Sequence, residues 1–434
     1  MSSLGIRIEG RGDMNKNKRF LVVVLIVLVG VTPLLATTYG PDNVVYEQTA
    51  QPFTGTNIWS LSMGGAGLGM KGYSESFLLN PANLPGSGFK FTIPAVTVTA
   101  YNVVKILESP MIDYLTSDDD NDKIKAAQEF LKTIGKGHGD VLTTDVSLLT
   151  LNAGGLGLSV QAQERLISYK TGTDMTSTKL IAQATAAATL GFGFNIPILP
   201  EWLDIDLGAS VQFAYKAYLE QIGADTIIGM MNDESSDPAK VFLNQTPLIA
   251  GWSMPITIGM NVNGPFGLSV SAVARNINAT QHMTAYASLD DWALENFDQS
   301  ISGNAGHNPA TIEEFEVVPE FRFDFGLTWS QAFGGSLLTP TISLDVIDAG
   351  KLAGKQGDDL TRAFWDSTRI GASLRVLNIL DLRYGLSRGY HSVGLGLDLF
   401  VFHVDVAYYT LEYGKNLGDK PIDALSVRIG LLSR

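Results

Sequence analysis

Glu320-Phe-Arg-Phe-Asp-Phe-Gly-Leu-Thr-Trp-Ser330 decides the fold class. Phe321, Phe323, Phe325, Leu327 and Trp329 alternate with Glu320, Arg322, Asp324, Gly326, Thr328 and Ser330. A β-strand puts the two sets on opposite faces. One face is then wholly apolar and aromatic, while the other mixes full charges with glycine and small hydroxyls. Leu203–Lys216 repeats the pattern, with Leu203, Ile205, Leu207, Ala209, Val211, Phe213 and Tyr215 on one side and Asp204, Asp206, Gly208, Ser210, Gln212, Ala214 and Lys216 on the other. Fourteen such runs follow residue 88, at about 89–103, 142–151, 156–167, 185–196, 203–218, 252–262, 266–276, 319–331, 340–348, 367–376, 380–388, 391–399, 402–411 and 424–432.

A soluble sandwich and a membrane barrel share this alternation, and the connections separate them. Long stretches (104–141, 168–184, 219–251, 277–318, 349–366, 412–423) take turns with short ones such as 152–155, 263–265 and 377–379. Only the connection at Gly389-Tyr390 is short where a long one is due. Short turns at one end and long loops at the other mark an outer-membrane barrel, apolar toward lipid and polar toward the lumen.

Composition agrees. The 434 residues carry only 17% charged side chains and 45 glycines. Absence of cysteine excludes a disulfide scaffold, a thiolate zinc site, an iron–sulfur cluster and a lipid-modified cysteine. The net charge of −14 argues against nucleic acid as a partner. The acidity sits in outer loops: residues 277–318 hold seven acids and no lysine or arginine. At the start, Lys16, Lys18 and Arg19 precede the apolar run Phe20–Val31, then Pro33 and Leu34-Leu35-Ala36. That order reads as a cleaved signal peptide over 1–36, with Met14 a candidate start.

Between this leader and the first strand lie Ser60-Leu-Ser-Met-Gly64-Gly65-Ala-Gly67-Leu-Gly69 and Asn80-Pro81-Ala82-Asn83-Leu84. Glycines permit close backbone packing and Asn-Pro enforces a turn. A segment of this kind before a barrel suits a plug folded back into the lumen, over 37–88, with the barrel over 89–434. The "MGGAG … NPA" pair together with the fourteen-strand count resembles the FadL/TodX group of outer-membrane transporters, and their PorV-like and spirochaetal FadL-like relatives, over about residues 57–434. The chain departs from the usual barrel pattern in ending Leu431-Leu-Ser-Arg434, without a terminal aromatic. The resemblance implies a non-enzymatic channel for passive uptake of hydrophobic compounds such as long-chain fatty acids. It implies capture between outer loops, an apolar lumenal pocket with cations for a carboxylate, and a hatch formed here by Gly64, Gly65, Gly67, Asn80, Pro81 and Ala82. It brings no cofactor. Its PorV-like branch implies the alternative, a docking barrel for a surface protein, without transport.

The lumen-facing cations are Arg322, Arg369, Arg375, Arg383 and Arg428, candidates for a ligand carboxylate because a guanidinium presents a matching fork. Against that role stands a ladder of ion pairs with inward Asp324, Asp345, Asp381, Asp398 and Asp405; an arginine left without an acid would then be the ligand candidate. Asp118-Asp-Asp-Asn-Asp122 with Glu129 echoes a calcium loop, but Lys123 stands where glycine is needed, so a helix cap for Ile124, Phe130, Leu131 and Ile134 is expected and no metal. A second loop helix is expected over Leu289, Trp292, Ala293 and Phe297, its apolar face either meeting ligand or packing on a neighbour. Gly67-Leu-Gly69-Met-Lys-Gly72 lacks the strand–helix context of a dinucleotide loop. His391-Ser392 has no acid partner for lipase chemistry.

Overall fold

The computed structural model describes residues 53, 55, 57–117, 119–172, 177–199, 202–219, 222–223, 247–300, 311–399, 401–414 and 417–431. The expected signal peptide over 1–36 and the first part of the expected plug, 37–52, lie outside the described residues. The barrel strands are β1 (Phe89–Thr92 and Ala95–Tyr101), β2 (Gly137–Ala153), β3 (Leu156–Lys170), β4 (Thr178–Leu199), β5 (Leu203–Leu219), β6 (Leu248–Ser253 and Ile256–Asn263) and β7 (Leu268–Ile277 and Gln281–Tyr286). They continue with β8 (Thr311–Val317 and Arg322–Ser330), β9 (Leu338–Val346), β10 (Thr368–Val376), β11 (Leu380–Ser387), β12 (Tyr390–Leu399), β13 (Phe402–Glu412) and β14 (Pro421–Leu431). Each pairs antiparallel with the next, and β14 pairs with β1, so a 14-stranded barrel closes.

Burial runs opposite to that of a soluble protein. Phe192, Phe213, Phe323, Phe325, Ile342, Leu395 and Ile429 are exposed on the outer face, whereas Asp206, Asn261, Asp324, Ser343, Asp345 and Ser426 are fully buried inside. Apolar side chains outward and hydrogen-bonded polar ones inward are what a bilayer demands of a strand, and closure leaves no unpaired edge in lipid.

The strands reach further outward than the alternation alone indicates. Residues 137–141, 178–184, 281–286 and 311–317, expected as loop, are strand. Above the bilayer the outer face no longer needs lipid-compatible side chains: Glu314 and Glu316 point outward there, which erases the apolar stripe. At the changeover three neighbours break together, β6 at Met254-Pro255, β7 at 278–280 and β8 at 318–321. Asn278 Nδ2 donates to the Met254 carbonyl at 3.4 Å and Asn276 Nδ2 to that of Glu320 at 2.8 Å, so side-chain amides span the break. On the other side β9–β14 stay short. The outer turn Arg388-Gly389 is the two-residue hairpin expected, with φ of 50° and 80° at its centre.

The outer loops carry helices α3 (Val103–Glu108), α4 (Met111–Thr116), α5 (Asp120–Thr133), α6 (Leu289–Phe297) and α7 (Gly357–Ser367), after α1 (Ile58–Leu61) and α2 (Ser76–Leu79) near the start. Both expected loop helices form, and both pack on strand extensions. Leu131 and Ile134 cover Val141, Leu166 and Leu180; Leu289 and Trp292 cover Leu219, Leu248 and Ala250. Asp119 caps α5 by accepting the Asn121 amide at 2.9 Å, as the cap reading requires.

Lys420 ties the last outer connection to β2, its Nζ donating to the carbonyls of Gly135 at 3.3 Å and His138 at 2.6 Å. Burial, reinforced by the nearby Lys105 charge, pushes its pKa down to about 8. The folded state therefore binds fewer protons than the unfolded chain between pH 8 and roughly 10.4. Stability contributed here rises with pH through that window, and below it the cost of the buried ammonium stands in full. The heat-shift midpoint of the wild type is expected to gain on that of Lys420→Met between pH 8 and 10; a constant difference refutes the linkage.

Candidate functional site

Residues 57–88 run through the lumen and touch its wall on nearly every side. Asp345 of β9 accepts the amides of Gly67 and Leu68 at 2.6 and 2.9 Å. Lys71 pairs with Asp206 of β5 at 2.5 Å. The Tyr73 hydroxyl donates to Asp381 of β11, and Glu75 is gripped bidentately by Arg428 of β14, one bond at 2.6 Å. Arg275 of β7 reaches the Leu79 carbonyl.

The Asn-Pro-Ala-Asn stretch has a physical task. Asn80 Oδ1 caps the short turn Pro81–Asn83 by accepting the Ala82 amide at 3.0 Å, with Pro81 pre-set in the first helical position. Asn80 Nδ2 donates to Asn261 Oδ1 of β6 at 2.8 Å, and Asn261 Nδ2 returns bonds to Ala82 O at 3.0 Å and Asn83 Oδ1 at 2.9 Å. Gly64, Gly65 and Gly67 take φ of 71°, 84° and 125°, which side chains rarely adopt.

The wall supplies the matching space. A Cβ on Gly208, Gly371, Gly385 or Gly394 would stand under 3.0 Å from Pro81, Met63, Gly64 or Ser62 of the segment. At Gly208, Gly371 and Gly385 the atoms met include main chain of the segment, so these inward glycines are where it lies closest on the wall.

Four of the five predicted arginines belong to the ion-pair ladder. Arg322 and Arg275 share Asp324, at 3.1 and 2.5 Å. Arg375 and Arg383 share Asp381, at 3.2 and 2.9 Å, and Arg383 also binds Asp405 at 2.7 Å. Arg375 lies over the Tyr73 ring, itself stacked on Trp59. Arg428 is taken by Glu75. Arg369 differs. Its Nη1 donates to the carbonyls of Asp366 and Thr368 at 2.7 and 2.9 Å, and it forms no ion pair among the described residues. Arg388 beside it donates to the same Asp366 carbonyl at 3.2 Å. Together they line a cavity of about 150 Å³ that opens above Gly64 and Gly65, where the buried Ser392 hydroxyl has no partner among the described residues. His391 faces outward against Tyr384, on the face opposite Ser392, so the two do not form a catalytic pair.

Strand pairing also reveals an unforeseen apolar stretch. Ile167, Ile181, Tyr218, Ile249, Met283 and Val317 all share the inward parity of Asp206 and Asn261, yet form one buried apolar cluster in the outer half of the barrel. Arg165 and Lys216 precede two of its members on the same face. On the outer face beside α6, a second, more apolar cavity of about 470 Å³ has a floor that includes Ala182, Ala184 and Ala217 and a wall of Leu289 and Trp292. Among the described residues no cluster of three or more His, Asp or Glu is arranged to hold a metal ion; Asp118 lies outside them.

No family model matches the chain, and no curated protein matches it. Solved structures do. The chain is similar to FadL-type transporter barrels. One is the Ralstonia pickettii toluene transporter TbuX, at 12% identity over 88% of this chain and 98% of the other, TM-score 0.44. A Pseudomonas aeruginosa FadL homologue matches at 11% identity over 87% and 98%, TM-score 0.41. The P. putida toluene transporter TodX matches at 12% identity over 87% and 97%, TM-score 0.39.

Two outcomes test the lumenal packing. Arg428→Gln leaves Glu75 buried without its cation, an expected loss of about 3–5 kcal/mol, and the added Glu75→Gln recovers much of it; heat-shifted mobility reads both. Gly385→Val overpacks the wall at a cost of about 1–3 kcal/mol, displacing Met63-Gly64 and raising ion conductance in planar bilayers. Unchanged conductance from an inserted barrel refutes the obstruction.

Proposed function

We propose that the protein is an outer-membrane channel for passive uptake of hydrophobic compounds, long-chain fatty acids foremost. The observation that carries this reading is the inward apolar cluster of Ile167, Ile181, Tyr218, Ile249, Met283 and Val317. A pore for water-soluble solutes gains nothing from an apolar inner wall. These side chains are at most 2% exposed, so an acyl chain reaches them by displacing what covers them, gaining ~0.8 kcal/mol for each methylene it then buries. The cavity beside α6 supplies a first apolar surface outside. Arg369, lacking an acid partner among the described residues and placed above the lumenal segment, suits the carboxylate end. Residues 57–88 then serve as the hatch, with Gly64, Gly65, Gly67, Asn80, Pro81 and Ala82 setting its backbone. The acidic outer loops favour the docking alternative, a barrel that holds a surface protein and transports nothing.

Uptake of labelled oleate by a Gram-negative host stripped of its own fatty-acid channel tests the proposal, with toluene entry measured beside it. Wild-type chain is expected to restore both. Met283→Glu, which puts a charge into the apolar wall, is expected to lower both. Arg369→Gln is expected to lower oleate uptake alone; losing a charge-assisted bond worth about 1.5–3 kcal/mol weakens binding roughly ten- to a hundredfold. Restoration of neither by a correctly inserted barrel overturns the channel and leaves the docking reading.

A further inference from the structure

Helix α7 joins β9 to β10 on the short side of the barrel. Three bonds fix its height. Thr368, the first residue of β10, donates its hydroxyl to the Phe364 carbonyl at 2.7 Å. The Ile347 amide donates to the Ser367 carbonyl at 2.8 Å, and the Asp348 amide to Asp324 Oδ1 of β8 at 2.8 Å. The loop therefore leaves the wall level with Asp324. Immediately above that level β8 still presents Phe323 and Phe321 outward, about half exposed, as it does throughout its lipid-facing stretch. The apolar band of the barrel continues past the height at which α7 begins.

The helix is two-faced. Ala363 and Ser367 are buried toward the barrel, and Asp358, Asp359, Arg362 and Asp366 gather on one arc. The remaining arc carries Leu360, Phe364 and Trp365, which are 39%, 41% and 56% exposed. A wide apolar arc with a tryptophan, at the edge of a lipid-facing band, is the arrangement of a helix lying in a membrane interface.

We propose that α7 is an interfacial helix, its Leu360–Phe364–Trp365 arc immersed at the head-group and acyl boundary of the outer leaflet. The occupant is bilayer lipid because α7 leaves the wall level with Asp324, where the outward Phe323 and Phe321 still continue the lipid-facing band. Its seating matters to the lumen, since the Asp366 carbonyl in its last turn holds both Arg369 and Arg388. The lipid boundary and the cavity above Gly64 and Gly65 share one helical turn.

The absence of native cysteine allows a direct test in reconstituted bilayers. Single variants Asp358→Cys, Arg362→Cys, Phe364→Cys and Trp365→Cys are spin-labelled, and each label's access to oxygen and to a water-soluble nickel complex is measured. Labels at 364 and 365 are expected to favour oxygen, and those at 358 and 362 the nickel complex. Nickel access at 364 and 365 equal to that at 358 overturns the proposal. So does protection of 364 and 365 from both reagents, which places protein on the arc. Wild type against Trp365→Phe in brominated-lipid vesicles gives a second reading: quenching by lipid bromine falls in the variant if the arc is immersed, and an unchanged value counts against it.

Discussion

The structure depends on main chain meeting main chain inside the barrel. Here glycines stand on the wall where the lumenal segment passes close, so the segment seats deeply enough for wall side chains such as Asp345 and Asn261 to reach its amides and carbonyls. Gly208 receives Pro81, Gly385 receives Met63-Gly64, and Gly394 receives Ser62. Each contact costs the strand a side chain it would otherwise pack, and glycine weakens an isolated strand. Closure of the barrel offsets that weakness, because every strand is paired on both sides. The close seat in turn brings Gly67 and Leu68 within reach of Asp345, and Glu75 within reach of Arg428.

Charge follows from the same constraint. Buried ions survive when paired and hydrogen-bonded, and the lumen arranges them as a chain: Arg375, Asp381, Arg383, Asp405, with Tyr73 inserted from the segment. Such a chain sets position more than stability, since its gross attraction is largely spent on desolvation. Arg369 stands apart from this chain: among the described residues its partners are two main-chain carbonyls and no acid. That difference rests on geometry that residue type alone does not show.

Much of the fold was legible because lipid imposes a strict rule on each strand. Phe321, Phe323, Phe325, Leu327 and Trp329 must all be apolar, so the period shows, and all fourteen strands were placed from it. The rule lapses above the bilayer, where 281–286 and 311–317 read as loop although they are strand. The site was legible by type and not by pairing. Asn80-Pro81 and the five arginines stood out, but their partners, such as Asn261 for Asn80 and Glu75 for Arg428, lie far off in the chain and announce nothing by spacing. The inward apolar cluster carried a faint signal: on β5 the inner face runs Asp204, Asp206, Gly208, Ser210, then Lys216 and Tyr218, a turn from polar to apolar toward the outer end.

The barrel is lopsided, and the asymmetry bears on cargo. β2–β8 rise above the bilayer with an apolar inner face, and α5 and α6 cover their outer face. β9–β14 stop near the lipid boundary and bring Arg369 and Arg388 over the segment. An apolar wall thus stands apart from a cationic rim across one lumen. A purely apolar solute has use for the first alone, and a small anion for the second alone. A molecule with a long apolar body and an anionic end has use for both, which is why the proposed reading puts long-chain fatty acids foremost.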